Sequence, residues 1–276
     1  MLRMEIYAAL LMVAILAVGQ SAHADVIHYV RFQHDGGVSY GILKGAEIAE
    51  LSEAPYRAPT ETGRTFARKS VRLLAPSEPS KVIAVGLNFA SHAGQAGAAK
   101  PELFAKLPSS LVGHEAVVQL PRDAGNLHFE GELVVVIGRR ARDITAEEAP
   151  AHILGVTAGN DLSERSWQSA DLQWLRAKGA DGFGPAGPAI AVGLDYNDLL
   201  IETRVNGELK QSESSAKLLH SVDQIVAYAS RYFTLEPGDM IFTGTPGRTE
   251  RLSVGDTVDI TIEGIGTLSN KIGRRP

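Results

Sequence analysis

The run Leu127-His-Phe-Glu-Gly-Glu-Leu-Val-Val-Val-Ile-Gly138 constrains this chain more than any other stretch. Leu133–Ile137 is continuously apolar, the pattern of a strand covered on both faces rather than one that alternates between core and water. Glu130 and Glu132 enter that strand at i and i+2, so their carboxylates point to one side, roughly 6.5 Å apart by strand rise. Two like charges leading into a buried element cost several kcal/mol unless a cation neutralises them. Gly131 leaves the opposite face bare, open to another backbone or a ligand. Spacing alone leaves a second reading, a solvated strand end carrying two harmless glutamates.

Asp161 changes that balance. It follows the strand-like Ile153–Ala158 through Gly159-Asn160, at the mouth of a helix expected from Ser163. Alone it reads as a loop or cap residue. With Glu130 and Glu132 it completes an all-oxygen set suited to a hard divalent ion, Mg²⁺ or Mn²⁺ rather than Zn²⁺. Such an ion keeps open or water-filled positions where a substrate carbonyl binds and is polarised.

The rest of the chain reads as a sheet-dominated α+β protein. With 28 Gly and 13 Pro among 276 residues, many tight turns are expected. Short strand-like runs at Val26–Phe32, Val38–Leu43 and Glu47–Leu51 form a small β-rich N-terminal module over residues 25–75, and Pro55–Ala67 lacks hydrophobic periodicity. Pro76-Ser-Glu-Pro79 reads as a linker to a domain over residues 76–276. Further strands are expected at Lys81–Phe89, Leu127–Gly138, Ile153–Ala158, Pro188–Val192, Asp239–Thr243 and Thr257–Ile262. Asn206-Gly207 marks a hairpin turn inside Ile201–Lys210. Helices are expected after the capping box at Thr145–Glu148, over Ser163–Ala177, and over Ser221–Phe233 with Val222, Ile225, Val226, Ala229 and Phe233 on one stripe. Trp167 and Trp174 read as core packing.

Composition removes several classes of function. Hydrophobic residues make up 44%, charged residues 21%, and the net charge is −5, an ordinary globular balance. No Lys/Arg run is present to neutralise phosphates, so nucleic acid is a poor partner. Cysteine is absent, which removes disulfides, thiolate zinc sites and cysteine nucleophiles. Walker A and H-E-x-x-H motifs are absent too. At the N-terminus, Arg3 precedes an apolar run of 11 residues, Ala8–Val18, and then Ala22-His-Ala24. That run is too short to span a bilayer and has the order of a secretory signal peptide over residues 1–24, cut after Ala24. An exported, periplasmic protein is expected.

In chain order, Lys81-Val-Ile-Ala-Val-Gly-Leu-Asn-Phe-Ala-Ser-His92, Leu103-Phe-Ala-Lys-Leu-Pro-Ser-Ser-Leu-Val-Gly113, Glu130-Gly-Glu-Leu, Gly159-Asn-Asp-Leu-Ser-Glu-Arg165, Gly184-Pro-Ala-Gly-Pro188, Leu235-Glu-Pro-Gly-Asp239 and Thr243-Gly-Thr-Pro246 resemble the fumarylacetoacetate hydrolase family. The resemblance implies a mixed β-sandwich or roll, commonly as a homodimer. It implies Mg²⁺, Mn²⁺ or Ca²⁺ held by Glu130, Glu132 and Asp161, and small dicarboxylic or oxo-acid substrates whose enolate is stabilised. Carried over residue by residue, His92 is the candidate general base. Lys178 pairs with substrate oxygen or developing charge, and Arg165, Gln168 and Thr245 contact substrate. Family reactions include carbon–carbon hydrolysis of 2,4-dioxo acids, decarboxylation and keto–enol isomerisation.

One position departs from the pattern. Hydrolytic relatives often carry Glu three residues after the histidine, and here the residue is Gln95, which cannot stabilise an imidazolium as a carboxylate does. Hydrolysis is the leading expectation. The alternatives are decarboxylation or isomerisation at the same site, or a non-catalytic periplasmic binder of oxo acids. Arg248 reads either as a grip on a second substrate carboxylate or as a solvent-facing side chain. Ser91–Lys100, small and Gly-rich, reads as a candidate lid.

Overall fold

The computed structural model of the chain describes residues 26–94, 97 and 99–275. The expected signal peptide and Gln95 lie outside the described residues, as does part of the candidate lid.

The first strands are β1 (Ile27–His34), β2 (Gly37–Lys44), β3 (Glu47–Leu51), β4 (Glu61–Ala67) and the two-residue β5 (Arg72–Leu73). Of these, β4 falls in the stretch without periodicity. Apart from the half-buried Phe66 its side chains are exposed, so it pairs with β3 through its backbone and needs no apolar alternation. The Pro76–Pro79 run is packed down: Ser77 is buried and its hydroxyl donates to the Gly238 carbonyl at 2.6 Å.

Beyond it come β6 (Val82–Gly86), the single-turn helix α1 (Ala90–Ala93), β7 (Glu102–Lys106), β8 (Leu111–Val112), β9 (Val117–Leu120), β10 (Leu127–His128) and β11 (Gly131–Ile137). Then follow β12 (Ile153–Asn160), β13 (Ser163–Glu164), α2 (Arg165–Ala170), α3 (Leu175–Gly179), β14 (Gly184–Val192), β15 (Leu200–Val205) and β16 (Glu208–Ser214). Last are α4 (Val222–Tyr232), β17 (Met240–Phe242), β18 (Thr257–Ile262) and β19 (Gly266–Arg274).

Among the described residues, twelve strands form one sheet along β4-β3-β2-β1-β14-β12-β11-β17-β6-β7, with β5 on β1 and β8 on β14. The N-terminal strands therefore extend the main sheet, through the antiparallel pairing of β1 with β14. A second sheet, β16-β15-β18-β19-β9, lies against it. Leu133, Val135 and Ile137 share a core with Val258, Ile260, Ile262 and Leu268 of the second sheet. Val134 and Val136 on the other side of β11 pack with Val82, Ala84, Met240 and Phe242. Both faces of β11 are covered, which is why its run is unbroken.

Gly131 faces the second sheet: a Cβ there would lie 2.0 Å from Thr203 Oγ1. The bare face accommodates a neighbouring strand, not a ligand. Asn206 and Gly207 turn the β15–β16 hairpin with φ of 51° and 83°, as a type I′ turn requires.

The helix expected over Ser163–Ala177 is broken. Ser163 and Glu164 pair with Leu127 and His128 as strand, and the Glu164 carboxylate caps α2 by accepting from the Trp167 N–H at 2.7 Å. Residues 171–174 then separate α2 from α3. The Thr145–Glu148 hydrogen bonds form in both directions, but only a 3₁₀ turn, Ala149–Ala151, follows. In α4, capped by Ser221, Phe233 is the C-cap residue and stands 44% exposed instead of completing the buried stripe.

Candidate functional site

Strand register brings the three carboxylates together. In the antiparallel β11–β12 pair, Gly131 lies opposite Asn160 and Glu132 opposite Gly159. Glu130 and Asp161, one step outside this pairing, are locked by two bonds. The Asp161 N–H donates to the Glu130 carbonyl at 2.9 Å, and the Glu130 N–H donates to Asn160 Oδ1 at 3.0 Å. Glu130, Glu132 and Asp161 are all buried and offer oxygens within 4.8 Å of one another.

Cations close the ring on one side. Lys178, at the end of α3, donates to Glu130 Oε2 at 2.6 Å and to Asp161 Oδ2 at 2.7 Å. Lys106, the last residue of β7, is fully buried and donates to Asp161 Oδ1 at 2.6 Å and the Phe183 carbonyl at 2.9 Å, with a further bond to the Lys178 carbonyl. Arg165 opens α2 and donates to Glu130 Oε1 at 2.5 Å, Thr249 Oγ1 at 3.0 Å and Gln168 Oε1 at 2.8 Å.

These contacts divide the carboxyls. Burial pushes Glu130 up, but Lys178 and Arg165 together hold it well below the usual carboxylate range. Glu132 goes the other way: burial, then the charges of Asp161 and Glu130, raise it well above that range, and the Gly244 N–H at 2.7 Å only partly offsets them. Burial pushes Lys106 down against the pull of Asp161, whereas for Lys178 the pull of Asp161 and Glu130 overcomes burial and raises it. The shortfall of positive charge therefore sits at Glu132. A hard divalent cation among three oxygen donors is the group that supplies it, so the donor set fits Mg²⁺, Mn²⁺ or Ca²⁺.

His92 reaches this cluster from α1. Its Nδ1–H donates to the Gly247 carbonyl at 2.7 Å, since a carbonyl only accepts. That orients the ring and leaves Nε2 3.8 Å from Glu130 Oε1. Ser91 clamps the same turn, accepting from the Gly247 N–H at 2.9 Å and donating to Glu213. Thr245 is buried. It donates to the Gly131 carbonyl at 3.0 Å and accepts from Gln211 at 2.9 Å. Leu87, beside the cluster, takes a left-handed φ of 58°, and the Asn88 side chain after it is pinned to the His220 and Thr243 carbonyls.

The fold is matched by known proteins. A family model described as fumarylacetoacetate (FAA) hydrolase C-terminal covers residues 81–273, and one described as Rv2993c-like, N-terminal covers residues 27–76. The chain belongs to the fumarylacetoacetate hydrolase family. Its sheet-rich architecture with an N-terminal β-rich portion is that family's fold.

Three relatives show the range of fumarylacetoacetate hydrolase family activities. The crystal structure of 2-hydroxyhepta-2,4-diene-1,7-dioate isomerase from Mycobacterium marinum superposes with a TM-score of 0.85 at 42% identity, covering 90% of this chain and 99% of that one. Maleylpyruvate hydrolase from Sphingobium sp. SYK-6, in complex with manganese (II) ion and pyruvate, gives a TM-score of 0.76 at 26% identity over 90% of this chain and 100% of that one. Oxaloacetate tautomerase FAHD2B, mitochondrial, from Bos taurus is 34% identical over 88% of this chain and 79% of its own length. These neighbours are enzymes.

Within this family frame, the eight residues singled out from sequence (His92, Glu130, Glu132, Asp161, Arg165, Gln168, Lys178 and Thr245) all line one recess of about 50 Å³. Arg248 is exposed, between Gly247 and Thr249, which hold His92 and Arg165. Sequence reasoning missed Lys106, which reads as an ordinary lysine at a strand end and gains its role only when β7 is brought beside Asp161. It also placed both tryptophans in the core. Trp167 does stack on Phe183, but Trp174 stands edge-on to Phe104 at 5.5 Å and both line the recess.

Proposed function

We propose that this chain is a divalent-metal-dependent enzyme that hydrolyses a carbon–carbon bond in a small 2,4-dioxo acid of the acylpyruvate type. The observation that carries this reading is the buried Glu130–Glu132–Asp161 cluster with an oriented imidazole beside it. Glu130, Glu132 and Asp161 would hold Mg²⁺, Mn²⁺ or Ca²⁺, and the ion supplies Lewis-acid polarisation of a keto oxygen.

The chain's own residues do the rest. With Nδ1 committed to the Gly247 carbonyl, His92 Nε2 accepts a proton from water, which adds to the C4 carbonyl. The C3–C4 bond breaks, its electron pair stays with the three-carbon fragment, and protonation at C3 gives pyruvate and a carboxylic acid. Arg165, already forked between Glu130 and Gln168, presents a planar donor for the substrate carboxylate. Lys178 offsets negative charge as it develops, and Thr245 fixes the turn on which substrate rests. The Gly247 carbonyl orients His92 without a carboxylate dyad, so Gln95 does not remove the base.

A second reading is keto–enol isomerisation or decarboxylation at the same site, where His92 would move a proton on a 2-oxo acid. It is favoured by the isomerase and tautomerase names of two relatives. Turnover of acetylpyruvate and of oxaloacetate, each with and without Mn²⁺, separates the two. Metal-dependent release of pyruvate and acetate supports hydrolysis. Enol–keto conversion or CO₂ release without cleavage of acetylpyruvate supports the second reading, and tight binding without turnover would make the protein a binder. We further propose that residues 1–24 direct export and that the mature chain forms a homodimer; the mass of the secreted protein and its sedimentation check both.

A further inference from the structure

The recess over the carboxylates, at about 50 Å³, holds an ion and a water but not a whole dioxo acid. Leu87, Phe104 and Trp174 are walls that it shares with a second, open recess of about 530 Å³. The other residues lining that second space are Glu102, Leu103, Leu172 and Gln173. None of the seven is cationic. Leu172, between the two helices that carry Arg165 and Lys178, is 95% exposed and joins Leu87, Leu103, Phe104 and Trp174 along the wall of one recess, an apolar cluster rather than a lone surface leucine. The sole charged side chain there, Glu102, is exposed and negative.

We propose that this recess receives the far end of the substrate and selects an alkyl or aryl substituent over a second carboxylate. The inference rests on the reading that the acid cluster acts on a 2,4-dioxo acid, and it names the class: acylpyruvates with apolar tails. Leu103, Phe104, Leu172 and Trp174 lose water to such a tail, whereas a terminal carboxylate meets Glu102 and no counter-charge.

The test uses the full mature chain loaded with Mn²⁺. Acetylpyruvate, its longer alkyl homologues, benzoylpyruvate and a chain-matched dioxo acid ending in carboxylate are each measured for kcat/KM and, by calorimetry, for Kd. Affinity is expected to rise roughly two- to fourfold per added methylene. The carboxylate-ended compound is expected at least about tenfold below its methyl-ended partner. Leu172→Lys, at a surface position where folding is not at stake, should move that ratio toward the carboxylate. A Kd independent of tail length, or a wild-type preference for the carboxylate-ended acid that Arg248→Ala abolishes, overturns the proposal. Absence of turnover with the tail gradient intact in Kd overturns the hydrolytic reading and upholds the subsite.

Discussion

Asp239 and Glu132 are both buried carboxylates near the middle of the main sheet, and they are treated in opposite ways. Asp239 receives five donors: the Ser80 N–H and hydroxyl at 2.9 and 2.8 Å, the Lys81 N–H and ammonium at 3.0 and 2.5 Å, and the Glu236 N–H at 2.7 Å. It ties the start of β6 to the turn before β17, and its oxygens are spent on that task. Glu132 accepts one backbone N–H from Gly244 and otherwise faces Asp161 and Glu130. A buried carboxylate surrounded by donors holds structure; one set against other carboxylates is kept for a cation that arrives from outside.

The largest effect that separates these roles is on catalysis. Glu132→Gln should lower metal-dependent kcat/KM by about 1,000-fold, equivalent to ~4 kcal/mol, while the metal-free protein melts at the same temperature or higher because a like-charge repulsion is gone. A fall in Tm would put Glu132 in the structural class. Asp239→Ala should show the converse. Urea denaturation should register a loss of about 3 kcal/mol, from stranded N–H groups and an unpaired Lys81, with manganese affinity of the folded fraction retained.

Proton competition sharpens the contrast. Glu132 is raised in the folded chain relative to the unfolded one. Metal-free protein therefore keeps this contribution to stability below the unfolded value and loses it as pH rises through the raised one. The cation needs the ionised carboxylate, so Mn²⁺ affinity should increase by up to about tenfold per pH unit until that point and level off above it. A pH-independent Kd would contradict the assignment. The smallest effect is expected at Thr249→Val, which removes one acceptor from Arg165. KM should rise roughly three- to tenfold, about 1 kcal/mol, with kcat less affected; equal losses in both would mean that Thr249 acts on the fold.

The same contrast sets how much was legible in the chain. Glu130 and Glu132 around a glycine, leading into an unbroken apolar run, could be read because period-two geometry fixes which side each carboxylate takes. Asp161 joined them because register pairs the end of β12 with the start of β11. What escaped was whatever depended on distant strands. Lys106 has no local mark of burial. Glu102–Lys106 and Glu61–Ala67 are edge strands held by backbone pairing, and their side chains need not alternate. Gly266–Arg274 does alternate, with Leu268, Asn270 and Ile272 inward, but the buried asparagine breaks the apolar signal; it donates to the Gly113 and Ala116 carbonyls. The expected long helix failed because Trp167 and Trp174 share a spacing but pack on different partners, Phe183 and Phe104.

Calorimetric titration of Mn²⁺ into the metal-free mature chain, beside Glu132→Gln, tests the central claim most directly. The account predicts saturable uptake of one ion per chain by the wild type, with proton release, and loss of that uptake in the variant. Equal uptake by both proteins, or none by either, would contradict it.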